Sequence, residues 1–249
     1  MGGYFGKAFG LASRLRQQFY DHAVLDRLVA VSILPFILLI LIIIYPIALA
    51  TQGRPFLYAS ERMRSEKSSF RLYKIRTMRP SDRGPIAVLG GDQTNRITRL
   101  GHILRSSRID ELPQIFNVLK GDMRFIGPRP PLRQHVAEYP DHFAQVLKSK
   151  PGITGLATVL VYRRESRILR KCTTPLQTEQ TYRTHCLPLK MRLDAIYARH
   201  RSLALDAFIV VLTVQCLFRA LRPNLSPSGT EQRNYRLESS GRTHIEDAA

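Results

Sequence analysis

The most constraining feature of the sequence is an apolar stretch at residues 28–50, LVAVSILPFILLILIIIYPIALA, whose 23 residues carry no charge. A helix of about 20 apolar residues is long enough to cross the roughly 30 Å hydrocarbon core of a bilayer. A cleavable signal peptide fits less well, because its apolar region is about 7 to 15 residues long and this run begins later in the chain. The stretch therefore predicts a membrane helix that is retained in the mature protein.

Pro35 and the flanking charges determine the path that we expect this helix to take. A proline inside a helix removes a backbone donor and clashes with the preceding turn, so Pro35 predicts a bend or break. Basic residues flank the run on both sides, whereas a simple span concentrates them on one side. We therefore expect a re-entrant helix that bends near Pro35 and returns to the cytoplasmic face, with a single membrane-spanning anchor as the alternative.

The charge balance narrows the class of partner. The 249 residues include 38 Lys and Arg against 19 Asp and Glu, a formal net charge of +19. Such a surplus is typical of proteins that bind nucleic acid, phosphate-bearing substrates or anionic membranes, and charge alone does not choose among these partners. The three cysteines have neither CxxC spacing nor a histidine cluster beside them, so they indicate reduced thiols rather than a disulfide framework or a zinc site.

The patterns after the apolar stretch indicate several short elements. Residues 70–78, FRLYKIRTM, are typical of a strand or hairpin, and residues 80–95 are rich in Pro, Gly, Asp and Asn, as loops are. Residues 96–107 place apolar side chains at helical spacing among arginines, which predicts a basic amphipathic helix. Residues 190–221 predict helical structure with a broad apolar face, whose two apolar parts are divided by Asp206. A helix pair lying on the membrane surface is the expectation, with a second membrane span as the alternative.

These patterns divide the chain into four expected parts. A basic N-terminal segment covers residues 1–25, and the membrane helix covers 26–52. A single domain of catalytic size covers 53–222. The polar tail at 223–249 is rich in Ser and Arg, and we expect it to be disordered.

The stretch RSSRIDELPQIFNVLKGD at 105–122 places two adjacent carboxylates, Asp110 and Glu111, at the start of an expected helix. N-capping is one explanation, because carboxylates near a helix N-terminus stabilise it by about 0.5–2 kcal/mol. A phosphoryl-transfer site is another, because arginines bind phosphate oxygens bidentately and carboxylates hold Mg²⁺ or attack phosphorus. Four arginines crowd this region of the sequence: Arg105, Arg108, Arg124 and Arg129.

Three blocks of the sequence resemble the bacterial sugar transferase family, the monotopic phosphoglycosyl transferases. They are FRLYKIRTM (70–78), RITRLGHILRSSRIDELPQIFNVLKGDMRFIGPRPPL (96–132) and KPGITGLATV (150–159). The resemblance runs from about Asp26 to about Thr213 and is to the short form of the family. It implies a mainly helical α/β fold in which a re-entrant membrane helix and interfacial amphipathic helices surround a small catalytic domain. It also implies a location at the bacterial inner membrane, on the cytoplasmic face.

The resemblance further implies an activity and its residues. Members move a sugar 1-phosphate from a UDP-sugar to undecaprenyl phosphate, releasing UMP, through a covalent phosphosugar. Asp110 falls on the nucleophile of the family, and Glu111 is its partner, with both carboxylates as Mg²⁺ ligands. Arg105 and Arg129 fall on phosphate-binding positions. Anionic lipids are an expected partner of the basic faces. Whether the chain forms a homodimer stays an open question.

The sequence departs from the family pattern in two places. Leu34 precedes Pro35 where the family has a serine, and Ser32 lies two residues earlier. After Val159 the chain lacks the NGRN-like residues of many members, and SLALD at 202–206 lacks their tryptophan. Two other hypotheses stay open, a membrane-tethered nucleic-acid binder and a non-catalytic scaffold. No nucleic acid is expected as a partner, because no recognition motif accompanies the basic helix.

Overall fold

The computed structural model of the chain describes residues 23–80 and 96–221. The expected loop after Pro80 and the expected tail at 223–249 lie outside the described residues, as does most of the basic segment at 1–25. The described part is mainly helical, with two small two-stranded sheets, which agrees with the predicted α/β class.

The elements follow one another in short succession after a long first helix. The α-helices are α1 Ala23–Gln52, α2 Arg99–Ser106, α3 Ile115–Lys120, α4 Arg133–Glu138, α5 Pro140–Val146, α6 Leu156–Leu169, α7 Pro175–Thr181, α8 Leu187–His200 and α9 Leu203–Leu221. The strands are β1 Leu57–Met63, β2 Ser69–Ile75, β3 Arg124–Ile126 and β4 Gly152–Thr154. A 3₁₀ helix, Ile109–Gln114, precedes α3, and a π-helical turn, Tyr182–Cys186, joins α7 to α8.

Helix α1 confirms the long apolar helix. Its 30 residues make it the one helix in the described ranges that is long and apolar enough to cross a membrane, by length and composition. Helical residues continue through Pro35 and Pro46, so the break expected at Pro35 is absent from this structure. A single proline removes one backbone hydrogen bond, and the helical bonds on either side are sufficient to continue the helix. A bend in the membrane stays a prediction.

The N-terminal half of α1 is attached to the rest of the molecule. Ala30 and Ile37 are buried in a core cluster with residues of β2, of α3 and of the segment that follows α3: Phe70, Leu72, Ile115, Val118 and Met123. Near the start of the helix, Arg124 Nε donates to Asp26 Oδ2 at 2.6 Å. Along its other face α1 exposes large apolar side chains such as Phe36 and Ile42, which are 70% and 68% exposed. The helix is therefore fixed along one side and presents apolar surface on the other.

The first sheet confirms the predicted hairpin. Strands β1 and β2 are antiparallel, with Leu57 opposite Ile75 and Met63 opposite Ser69. Alternation along β2 places Phe70, Leu72 and Lys74 on one face, and the two apolar residues are buried there. Lys74 therefore carries its charge on the inward side of the strand.

The second sheet brings two motifs together. Strands β3 and β4 are parallel, with Arg124 opposite Gly152 and Ile126 opposite Thr154. A Cβ atom at Gly152 would lie 2.1 Å from the backbone nitrogen of Gly127, so only glycine allows this approach. The GPRP and KPGITG segments thus pack backbone against backbone, which fixes the loop that carries Arg129.

The predicted helix pair near the C-terminal end is confirmed as α8 and α9, but its division differs. The break falls at Arg201 and Ser202, not at Asp206. Asp206 lies in the first turn of α9, buried, where its Oδ1 accepts a hydrogen bond from the Tyr197 hydroxyl at 2.8 Å. A hydrogen-bonded partner allows a carboxylate to be buried within a helix, so this residue did not have to mark the end of one.

Candidate active site

The two adjacent carboxylates lie in the 3₁₀ helix Ile109–Gln114, with α3 beginning only at Ile115. An α-helix was expected here. Pro113 offers no backbone N–H for an α-helical bond, and the tighter turn accommodates this proline. Residue Arg108 precedes the turn at φ 58° in the left-handed region, which is uncommon for a residue with a Cβ atom.

N-capping does not explain this pair. Arg108 occupies the N-cap position, and no side-chain capping hydrogen bond is made there. Asp110 and Glu111 are 7% and 6% exposed, whereas capping carboxylates usually lie at a solvated helix end. Two neighbouring carboxylates are therefore buried for a reason other than helix capping.

Glu111 is surrounded by cations. Its Oε1 accepts hydrogen bonds from Lys74 Nζ at 2.8 Å and from Arg129 Nη2 at 3.3 Å, and its Oε2 lies 3.8 Å from Arg108 Nη1. Burial acts to raise the pKa of Glu111, but Lys74, Arg129 and Arg108 outweigh it and hold that pKa well below its usual range. Glu111 is therefore a fixed negative charge that holds three cations in place.

Asp110 has a different environment. Its carboxylate makes no hydrogen bond or ion pair with a side chain of the described residues, although Lys74, Arg105 and Arg108 are near enough to act on it electrostatically. Burial raises the pKa of Asp110 against the effect of Lys74, and the charge of Glu111 raises it further. The environment thus separates two chemically similar groups: one is held by cations and the other is more basic and free to react.

The pair lines a cavity of about 780 Å³ whose walls are rich in cations. Seven arginines and two lysines line it against four carboxylates. The cations are Arg62, Lys74, Arg76, Arg79, Arg96, Arg105, Arg108, Arg129 and Lys190. This excess of positive charge around a concave site favours a compact ligand that carries several negative charges, such as a diphosphate.

The structure brings together the four site residues predicted from the resemblance. Arg105 and Arg129 line the same cavity as Asp110 and Glu111. Arg105 Nε donates to Thr77 Oγ1 at 2.7 Å, which orients the guanidinium group. Arg124 was grouped with these arginines because it is near them in sequence, and that grouping is wrong. Its buried side chain pairs with Asp26 of α1 instead.

Sequence reasoning missed several residues of the cavity. Lys74 lies inside the FRLYKIRTM block, and a lysine on the inward face of a strand is a signal that could have identified it. Glu165 of α6, with Lys190 and Asp194 of α8, also lines the cavity. They lie more than 50 residues from Asp110 along the chain and belong to none of the three blocks, so no local pattern indicates that they share its cavity.

The donor set can be compared with the requirements of Mg²⁺. Across residues 23–80 and 96–221, no group of three or more His, Cys, Asp or Glu side chains is placed to hold a metal ion. Mg²⁺ usually binds proteins through one or two carboxylates together with substrate phosphates and water. The free carboxylate of Asp110 fits such a shared site, while the oxygens of Glu111 already face Lys74, Arg129 and Arg108.

Known proteins match the chain across the cavity and helix α1. The family model for bacterial sugar transferases matches residues 17–220. A UDP-glucose:undecaprenyl-phosphate glucose-1-phosphate transferase of Xanthomonas campestris pv. campestris is 40% identical over 148 residues, which are 58% of this chain and 28% of that protein. An enzyme of the same name from Klebsiella pneumoniae is 32% identical over 186 residues, covering 71% of this chain and 37% of that protein.

A relative named for another sugar matches a longer part of the chain. It is a UDP-N-acetylgalactosamine-undecaprenyl-phosphate N-acetylgalactosaminephosphotransferase of Aeromonas hydrophila, 33% identical over 198 residues, or 78% of this chain and 42% of that protein. The chain thus spans less than half the length of each of these three relatives. The family match includes the dyad of Asp110 and Glu111, the cations around it and all of α1, and on this basis the protein belongs to the bacterial sugar transferase family.

Proposed function

We propose that the protein transfers a sugar 1-phosphate from a UDP-sugar to undecaprenyl phosphate, giving undecaprenyl-diphosphate-sugar and UMP. The observation that carries this proposal is the unequal environment of Asp110 and Glu111 within a cation-lined cavity. The names of the relatives support the two substrates. The product would initiate an exopolysaccharide, O-antigen, capsule or glycoprotein glycan.

In the first half-reaction Asp110 acts as the nucleophile. A carboxylate oxygen of Asp110 attacks the phosphorus that carries the sugar, and a bond forms between them. The bond from that phosphorus to the oxygen of UMP breaks, and UMP leaves with the electron pair. Lys74, Arg105 and Arg108, which already act on Asp110 electrostatically, neutralise charge on the phosphoryl oxygens.

In the second half-reaction the lipid replaces the enzyme on the same phosphorus. A phosphate oxygen of undecaprenyl phosphate attacks, and the bond to Asp110 breaks to return its carboxylate. Glu111 acts as a positioning residue through its contacts with Lys74 and Arg129. Because donor and acceptor use one site in turn, the enzyme should show ping-pong kinetics.

We also propose Mg²⁺ as the cofactor, with Asp110 and Glu111 as its protein ligands. When bound, Mg²⁺ withdraws charge from the diphosphate and makes UMP a better leaving group. The unpaired carboxylate of Asp110 supports this assignment better than the cation-bound carboxylate of Glu111.

The proposed location is the cytoplasmic face of the bacterial inner membrane, with α1 re-entrant and bent near Pro35. The exposed apolar face of α1 supports contact with lipid, and anionic lipids would add about 1 kcal/mol per nearby Lys or Arg. In a cysteine-free background, cysteines placed at Ala23 and at Gln52 should react with an impermeant reagent from the same side. Labelling from opposite sides would establish a simple span.

The function is tested by UMP release. The detergent-solubilised full chain, Mg²⁺, undecaprenyl phosphate and a panel of UDP-sugars should release UMP with one or more donors. Asp110→Asn should reduce this rate at least about a thousandfold, while the matched variant Asp141→Asn, which changes an exposed aspartate outside the cavity, should retain it.

Equal rates in the two variants would remove Asp110 from the reaction. A folded wild-type protein that releases no UMP with any donor would contradict the proposed function. Salt-sensitive binding of DNA or RNA by such a protein would favour the nucleic-acid hypothesis.

A further inference from the structure

The cavity has a second polar end, away from the dyad, formed by α6, α8 and the turn before α8. Lys190 Nζ donates to both carboxylate oxygens of Glu165, at 3.0 and 2.8 Å, and lies 5.1 Å from the centroid of the Tyr182 ring. Asp194 follows Lys190 by four residues in α8, so the two lie on the same face of the helix. All four residues line the cavity that contains the dyad.

Several polar groups at this end lack partners in the described part of the chain, including the buried Nε of Arg62, whose charge acts on His135. Asp194 is 8% exposed, yet its Oδ1 has no hydrogen-bond partner among the described residues. His135 is also buried, its Nε2 is likewise without a partner there, and its ring stacks on Tyr182 with the ring centroids 5.7 Å apart. A buried polar atom without a partner is energetically unfavourable, so such atoms at a cavity wall indicate a ligand that supplies the missing hydrogen bonds.

The charges at this end differ from those around the dyad. Glu165 neutralises Lys190. The second carboxyl group, Asp194, is accompanied by one further cation, Arg62, whose charge acts on His135 and Tyr182. Burial raises the pKa of Asp194 to about 7, with Lys190 and Arg129 opposing it. Carboxyl groups repel a phosphate, but they accept hydrogen bonds from hydroxyl groups and donate one when protonated. This end therefore suits a neutral, hydroxyl-rich ligand.

Arg129 places the two ends side by side. It donates to Glu111 at 3.3 Å, and its charge also acts on the pKa of Asp194. A phosphate bound at Arg129 would therefore lie near both ends, and the group attached to it could reach Asp194. In a UDP-sugar, the group attached to the reacting phosphorus, apart from UMP, is the sugar.

We infer that Asp194, with Glu165 and His135, forms the subsite for the sugar of the donor, and that Asp194 determines which sugars are accepted. This inference rests on the proposed function. A site built to hydrogen-bond a hydroxyl group discriminates strongly against ligands that lack it, because its buried polar groups are then left unpaired.

The inference is tested by binding, without turnover. In an Asp110→Asn background, calorimetry on the solubilised full chain with Mg²⁺ would give affinities for UDP, UDP-glucose, UDP-galactose and UDP-N-acetylgalactosamine. Adding Asp194→Ala should lower the affinity for the preferred UDP-sugar relative to UDP by about tenfold or more, while the affinity for UDP itself stays constant. Asp141→Ala in the same background is the matched control and should change neither value.

A second variant controls for misfolding. Asp194→Asn keeps the side-chain shape and should reorder the affinities for the three UDP-sugars, with the melting temperature recorded for each variant. An unchanged ratio in folded variants would overturn the inference. A parallel fall in the affinities for UDP and for UDP-sugars would also overturn it, because Asp194 would then act on the uridine side.

The two proposals fail separately. Absence of UMP release by the wild-type protein would contradict the transferase function whatever Asp194 does. In that case, the sugar subsite would still stand if the ratio of UDP-sugar affinity to UDP affinity depended on Asp194.

Discussion

Helix α1 and the cavity differ in which kinds of side chain they expose and which they bury. Helix α1 exposes large apolar residues along most of its length, whereas the cavity buries carboxylates and lines itself with nine cations. Neither arrangement is favourable for a soluble protein without ligands, because exposed apolar surface and buried charge both raise the free energy. The two regions therefore support the two proposed contacts: lipid for α1 and anionic groups for the cavity.

A buried ion pair connects the two regions. Arg124 begins β3, the strand that leads into the loop carrying Arg129, and it pairs with Asp26 at the start of α1. Strand β3 therefore contacts α1 at its first residue and leads into the loop that lines the cavity. This contrast predicts a loss of activity when the cation contacts of the cavity are removed, and a loss of stability when the ion pair at α1 is removed.

Apart from loss of Asp110 itself, the largest effect should follow loss of the shortest cation contact of Glu111. Lys74→Met removes the 2.8 Å contact and leaves Arg129 and Arg108 as the remaining cations. By comparison with the loss of one donor from a preorganised site, UMP release should fall about 10² to 10³-fold. Lys67→Met, which changes an exposed lysine in the hairpin turn, is the control. Equal rates in both variants would show that the buried charge at β2 serves no catalytic purpose.

The next effect concerns the junction between the two regions. Asp26→Asn leaves the nearly buried Arg124 without its carboxylate, and removing one partner of a buried ion pair lowers the free energy of unfolding by about 3–5 kcal/mol. Denaturant unfolding in detergent would measure the change, and Asp141→Asn would control for the loss of an aspartate. An unchanged midpoint would mean that α1 is held to the domain by its apolar contacts alone.

The third effect is a pH dependence of the unfolding free energy that arises from Asp194, at the second polar end of the cavity. Burial raises the pKa of Asp194 from 3.8 to about 7. At a pH between these two values, Asp194 is therefore protonated in the folded state and ionised in the unfolded state. The contribution of Asp194 to stability should therefore fall as pH rises from about 4 to 7 and level off above that.

Asp194→Asn should remove this dependence. The variant should match the wild type near pH 4 and exceed its unfolding free energy by a few kcal/mol, on the order of 2–4, above pH 7. Unfolding curves of both proteins at several pH values would measure the difference. A constant difference across the range would show that Asp194 does not titrate in this way.

The smallest effect is expected at an exposed ion pair. Arg133 Nη2 lies 2.6 Å from Glu61 Oε1, but the two side chains are 64% and 53% exposed. Solvent screens such pairs, so Glu61→Gln should leave the denaturant midpoint of unfolding nearly unchanged. An effect as large as that of Asp26→Asn would remove burial as the explanation for the difference between the two pairs.

Local patterns in the sequence were sufficient for some parts of this account. The alternation in 70–78 and the helical spacing in 96–107 predicted β2 and α2, because both patterns reflect contacts within one element. The resemblance placed Asp110, Glu111, Arg105 and Arg129 in one site, and all four line one cavity.

Other features depend on tertiary contacts that no local pattern encodes. Arg124 lies 98 residues from its partner Asp26, and Asp194 reaches the cavity only through the packing of α8 against α6. The 3₁₀ turn at Asp110 arises from Pro113 together with the left-handed conformation of Arg108. No sequence pattern predicts that an arginine adopts this backbone conformation.

The most direct test of the central claim is to trap the phosphosugar on the enzyme. The purified full chain would be incubated with Mg²⁺ and a competent UDP-sugar, without undecaprenyl phosphate, and examined by mass spectrometry. The account predicts a mass increase of one sugar phosphate on the peptide containing Asp110, its loss on adding undecaprenyl phosphate, and its absence in Asp110→Asn. UMP release that requires the lipid and leaves no adduct, or an adduct on another residue, would contradict Asp110 as the nucleophile.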